Sequence, residues 1–418
     1  MLSHYFNAEM QGKPYLHIEV DEHSSSVGVI TRLEAFVNSL DHYDEKTRTT
    51  TVPELVPQST EERLQGTMLI PNIYPYSQVL CEWFKSKGIA AELLPESSQK
   101  SLEVGKRFTK SKEYLSMFSL LGDVFYHLEN TGEKSVKLWL PQSEGSEVYG
   151  QYGKLVSEKI KGVGVQGEVV SPFIEDLLEN KEYGFDFALG VIVADLVMAS
   201  APEDRDTVLM KGMELIKTAG LNEENIVQLS RYVYSQLQKR TYDKQIYVLG
   251  EFSVIFNSYL NNFQLEGLEK KHKIMYQPLS ETLLFIWHDH LNKAPKNRKG
   301  FKENMGKVKT LMKNVSDVLS EYSSFDTDFD ELVREADRKL ALYAGGAGRY
   351  RLAKIFRCPE HVQGILTVSS MYENTATIQK ILRDRDKDQL IHPVLDLAFD
   401  GSSHSNNKES LDTFMHYI

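Results

Sequence analysis

The chain has 418 residues, 41% of them hydrophobic and 26% charged, an ordinary globular composition in a chain long enough to predict two or three domains. The formal net charge of -11 disfavours non-specific binding of nucleic acid, which needs a basic face, so the basic stretch 293–302 reads as a solvated loop. No apolar run approaches the roughly 18 residues of a membrane span, and the first residues lack the basic start and apolar stretch of a signal peptide; the expectation is a cytoplasmic protein with no membrane or nucleic-acid partner.

Tyr15–Val20 reads as a strand and the polar residues 21–26 as the loop at its carboxyl end. Helical spacing follows over Val29–Leu40, with Ile30, Leu33, Phe36, Val37 and Leu40 on one face. Residues 1–45 therefore form a strand–loop–helix unit, and the polar stretch 46–65, with Pro53 and Pro57, reads as a linker. A strand at Thr67–Pro71, a helix at Tyr76–Lys87 ended by Gly88, and a strand at Ile89–Leu94 make a βαβ unit. Helix Lys112–Leu128, strand Val136–Leu140 and helix Tyr149–Lys161 extend it into a first Rossmann-like lobe over residues 66–170.

Residues 171–240 are mostly helical in pattern, and a second Rossmann-like lobe is expected over 241–418. It begins with strand Gln245–Gly250, helix Leu260–Lys271, strand Lys273–Gln277 and a helix from Ser280. The charged stretch 291–330 reads as a helical insertion that protrudes from the lobe. Phe329–Phe356 is helical up to a break at Gly345-Gly346, and strands Gly364–Val368 and Val394–Phe399 close the sheet. The fold class is thus α/β: two Rossmann-like parallel-sheet lobes with an added helical region.

Pro14–Asp21 echoes Pro393–Asp400, and in both places a Ser-rich loop and a helical segment follow. In the second copy the unit closes a domain. The first is then either the tail of a preceding module, split from a larger polypeptide, or a chance likeness between two ordinary units.

Few residues announce chemistry. The two cysteines, Cys81 and Cys358, are too few for a four-ligand zinc or iron–sulfur site and read as small buried hydrophobes. Asp21, Glu22 and His23 sit at a strand's carboxyl end, where open α/β sheets bind ligands. They form either an acid–base set or the hydrogen-bonded cap of the next helix, and capping is the simpler reading. Gly345-Gly346-Ala347-Gly348 has no strand before it and reads as a helix break rather than a phosphate cradle. His288 and His290 lie two apart on a helix, too divergent to chelate, and with Asp289 read as an exposed helix end. No Gly-x-x-x-x-Gly-Lys-Ser/Thr and no Gly-x-Ser-x-Gly occurs, so neither ATP hydrolysis nor serine hydrolysis is expected.

Four segments together resemble one family: Asp21–Ser24 followed by Gly28–Phe36, Ile70–Ser77, Pro278–Glu281 and Leu397–Gly401. It is the family of 2-hydroxyacyl-CoA dehydratase activators, in the dehydratase-like region that follows the ATP-binding domains of long members. The resemblance implies Rossmann-like domains around an iron–sulfur cluster. It also implies three cysteine ligands, and here the chain departs. Lys110–Tyr114 stands for S-G-K-E-C, Gly145–Tyr152 for G-P-C-R-x-G-Q-Y, and Met371–Ile378 for F-G-C-M-P-G-T-I. The three former ligand positions become Tyr114, Glu147 and Glu373. Oxygen donors do not hold an iron–sulfur cluster, so no cofactor and no metal are expected. The three side chains either converge on a hard cation or act as acid and base, or they fill a decayed site with water.

The reading is an accessory or cofactor-less homologue of the dehydratase/activator system that transfers no electrons. A protein partner carrying the ATP-binding activator domains is implied. The alternatives are an enzyme that binds an acyl-CoA thioester without a cluster, and an oligomeric scaffold.

Overall fold

The structure is a computed structural model, and it describes residues 16, 18, 26–40, 66–109, 113–143, 148–218, 220–293, 299–342, 346–402 and 406–418. The chain divides into two compact units, Met1–Arg63 and Leu64–Ile418. In the first, the described element is helix α1 (Ser26–Leu40), in the place where apolar spacing predicts one. Its residues Ile30, Leu33, Val37 and Leu40 are exposed. The expected strand Tyr15–Val20 and the linker 46–65 lie, apart from Leu16 and Ile18, outside the described residues.

The second unit holds both sheets. Its first lobe runs β1 (Met68–Ile70), α2 (Tyr76–Ser86), β2 (Ala91–Leu93), α3 (Gln99–Phe108), α4 (Leu115–Thr131), β3 (Ser135–Trp139), α5 (Tyr152–Gly162) and β4 (Gln166–Val170). The strand order is β2-β1-β3-β4 and every pairing is parallel. Short apolar strands separated by helices produce this arrangement because each crossover must lay an apolar helix face back on the sheet. Leu121, Val124, Leu138, Val156 and Ile160 make that contact on one face. Two elements here were not foreseen, α3 and β4.

Four helices follow: α6 (Ile174–Glu179), α7 (Gly184–Ala199), α8 (Arg205–Lys217) and α9 (Glu223–Leu237). Helix α7 is apolar on nearly all sides and most of it is buried, as an element packed all round must be. It lies against α2 of the first lobe, against α8 and α9, and against α12 of the second lobe, defined next.

The second lobe runs β5 (Gln245–Gly250), α10 (Phe252–Ile255), α11 (Gln264–Glu269), β6 (Lys273–Tyr276), α12 (Leu279–Lys293), α13 (Lys299–Leu319), α14 (Phe329–Lys339), α15 (Gly346–Phe356), β7 (Gly364–Ser370), α16 (Asn374–Arg385), β8 (Val394–Phe399) and α17 (Asn407–Tyr417). Its order, β6-β5-β7-β8, repeats the pattern of the first lobe, again all parallel. The chain is therefore α/β, with two Rossmann-like parallel sheets and an added helical region.

Three expectations need correction. The stretch 291–330 does not protrude: α13 packs on α9 and α7 and buries Val308, Leu311, Val315 and Leu319. Its charges occupy only the outer face, and a strongly two-faced helix reads as polar by composition alone. The helix expected over Leu260–Lys271 is confined to Gln264–Glu269, because Asn262 and Phe263 adopt positive φ just before it. His288-Asp289-His290 is not an exposed helix end. Asp289 is buried and bonded by Arg349 at 2.5 Å, and His290 lies 3.8 Å from Glu179.

Candidate functional site

A cavity of about 250 Å³ is walled by both lobes and roofed by α7, α12 and α15. The strand ends that reach it are all carboxyl ends: Ile70 of β1, Trp139 of β3, Glu251 just after β5, and Glu373 just after β7. Parallel sheets splay their loops there and leave a crevice, which is why ligands of open α/β folds bind on that side. The cavity exceeds the roughly 150 Å³ of an engineered void that admits benzene.

One end of the cavity is polar. Strand β5 finishes on Gly250 at φ +144°, where a side chain would meet the Val368 backbone. The next residue, Glu251, donates its N–H to Val368 O at 2.8 Å and turns its side chain across the sheet end. Its Oε2 accepts from Ser370 N at 2.8 Å and its Oε1 from Ser253 Oγ at 3.3 Å. Glu373 is tied to the same residue, donating N–H to Ser370 O at 3.1 Å. It caps α16 by accepting from Ala376 N at 3.1 Å, and its other oxygen accepts from Arg351 Nη1 at 3.0 Å. Glu373 thus ties the start of α16 to Arg351 on α15.

Two phenols face these carboxylates. Tyr152 OH and Ser116 Oγ are 2.8 Å apart, and Ser116 N donates to Ser370 Oγ at 3.3 Å, linking the lobes. Burial pushes the Tyr152 phenol well up, and Glu251 and then Glu373 push it the same way, while the Ser116 bond opposes them. The Tyr114 phenol is raised by burial first; the Asn374 backbone opposes this, and Glu373 and Glu251 add to it.

The other end is apolar. Trp83 on α2 and Phe187 on α7 meet edge to face at 5.6 Å, and Trp139 packs on Phe84 at 4.9 Å. Behind this end Asp195, on α7, accepts from Tyr76 OH at 2.7 Å, Leu279 N at 2.8 Å and Ser280 N at 3.0 Å. One carboxylate thus joins the first lobe, the helical region and the start of α12. Burial pushes its pKa up to about 6, against the bonds from Ser280, Tyr76 and Leu279.

Tyr114 and Glu373, more than half the chain apart in sequence, both line this cavity. Glu147, Asp21, Glu22 and His23 lie outside the described residues. Glu251, Arg351, Trp83 and Trp139 are wall residues that the sequence reading missed. Glu251 had a signal, since it follows a clear strand on the ligand-binding side. Arg351 had a fainter one: it lies four residues after Ala347 on α15, and both reach the cavity. The glycine run before it opens that helix, and Gly346 lies against Ile286, a close approach of two helices.

Tyr114 and Glu373 offer oxygen donors to the wall. Cys81 is buried with Sγ 3.1 Å from Ala91 O, and Cys358 is buried in the separate core beneath β5 and β7. This donor set does not fit an iron–sulfur cluster. Among the described residues no group of three or more His, Cys, Asp or Glu side chains is placed to hold a metal ion, and no helix is long and apolar enough to cross a membrane. No family model and no curated protein matches the chain.

Proposed function

We propose that the chain is a cofactor-less relative of the dehydratase part of the 2-hydroxyacyl-CoA dehydratase activator group, accessory to that system and not electron-transferring, which keeps a small-molecule site where the family has its cluster. What supports the reading is one observation: Tyr114 and Glu373, two of the three positions matched to cluster cysteines, line the same interlobe cavity. The partner is a chain carrying ATP-binding activator domains. A second reading, an enzyme that binds an acyl-CoA thioester without a cluster, draws on the apolar end of the cavity, which has room for a short acyl group.

Tryptophan fluorescence tests the site directly. Of the three tryptophans, Trp83 and Trp139 line the cavity. Titration with short-chain acyl-CoA thioesters is expected to change the emission saturably, and Trp139→Phe to reduce the change. Iron and sulfide assays on anaerobically purified protein are expected to find neither in stoichiometric amount. A full cluster complement would end the non-redox reading. Co-purification with an ATPase chain supports the accessory role, and its absence together with thioester turnover would favour the enzyme.

A further inference from the structure

The charge and the aromatic content of the cavity wall narrow the class of ligand. Among the described wall residues the charged side chains are Glu251, Glu373 and Arg351. Arg351 is engaged by Glu373, so among the described wall residues Glu251 is the carboxylate that no wall cation engages. Glu251 is bonded by two donors, Ser370 N and Ser253 Oγ, and a carboxylate has about four acceptor sites. Burial is the main cause that raises both phenols at this end, and Glu251 and Glu373 add to it. Aromatic side chains line the cavity: Tyr114, Tyr152 and Phe252 with the carboxylates, and Trp83, Trp139 and Phe187 as well.

A concave aromatic wall with such a carboxylate attracts a cation twice over, through the ring quadrupoles and through charge. It repels a carboxylate and gives a neutral molecule only its apolar area. We infer that the cavity takes a small organic ammonium with an aromatic or branched apolar body, its nitrogen beside Glu251 and its body against Trp83 and Trp139. This rests on the reading of the cavity as a ligand site and adds the class of ligand. The volume of about 250 Å³ limits the buried part to a single ring or a short branched chain.

Three probes with one body separate the possibilities: phenethylammonium, 2-phenylethanol and 3-phenylpropanoate, each titrated calorimetrically and by tryptophan emission into the full chain. The ammonium is expected to bind at least about tenfold more tightly than the alcohol, and the carboxylate more weakly than either. Added salt should weaken the ammonium and leave the alcohol unchanged, a measurement that needs no variant. Glu251→Gln, which retains an acceptor for Ser370 N, should bring the ammonium-to-alcohol ratio toward one. Equal or tighter binding of the carboxylate, or no binding of any probe, overturns the inference. Acyl-CoA titrated in parallel tells the two failures apart: thioester binding without ammonium binding removes only the ligand class, whereas silence from all four removes the site itself.

Discussion

Asp123→Asn should stabilise the protein at neutral pH and do so much less in acid. Asp123 sits on α4, one-tenth or less exposed, and accepts from Ser97 Oγ at 2.7 Å. Ser97 Oγ in turn lies 3.1 Å from Ser119 Oγ and accepts from Asn257 Nδ2 of the second lobe at 2.8 Å. Burial pushes the acid from 3.8 up to about 6, against hydrogen bonds from Ser101, Ser97 and Ser119. The native state therefore holds the proton more tightly than the unfolded chain. Between pH 4 and 6 the native state binds more protons, so stability falls as pH rises through that window. A shift of this size corresponds to about 3 kcal/mol, missing above pH 6 and recovered near pH 4. The neighbouring hydroxyls can donate or accept, so an amide costs the network little. Urea unfolding of wild type and variant at pH 4.5 and 7.5 measures it. The variant should gain about 2–3 kcal/mol at pH 7.5 relative to wild type, and only about 1 kcal/mol at pH 4.5. A variant less stable at pH 7.5, or a difference that ignores pH, would refute the account.

Asp195→Asn is the contrasting case, since Leu279 N, Ser280 N and the Tyr76 hydroxyl all donate to it and an amide nitrogen cannot accept. A loss of about 2–4 kcal/mol in urea unfolding is expected despite its raised pKa, and a neutral or stabilised variant would show that desolvation dominates there too. Gly122→Ala should destabilise by about 3 kcal/mol or more, because a methyl there would strike the Ser101 carbonyl where α3 and α4 cross; an unchanged melting midpoint would count against so close a crossing. Both thiols should resist an aromatic disulfide reagent at pH 8 until the protein unfolds, since both are buried and burial holds Cys358 up to about 12; rapid labelling of the native protein would contradict this.

The sheets were the most legible part of the sequence because parallel strands buried on both faces are short apolar runs. Gln245–Gly250 and Val394–Phe399 were read to the residue. Strand β4 escaped because its burial is only partial and its sequence, Gln166-Gly167-Glu168-Val169-Val170, opens on polar residues and glycine. Helix α16 escaped for the opposite reason: its apolar Ile378 and Ile381 face outward, so no buried stripe marks it. Helix α3 has few apolar positions and a glycine, Gly105, which the crossing with α4 requires. At the site, likeness to a motif drew attention to Tyr114 and Glu373. Arg351 and Trp83 belong to the wall only through packing across the lobes, and no local pattern encodes that.

The cavity wall also has a history in time. Its first contributors, around Ile70, leave the ribosome long before its last, Glu373 to Thr375. At roughly 5–20 residues per second the gap is on the order of tens of seconds. During that interval the nascent first lobe presents Trp83, Trp139 and Tyr76 without the helices and strand ends that later cover them. The surface that becomes the cavity wall is first an uncovered apolar patch, the kind of surface that makes an unfinished chain prone to aggregate.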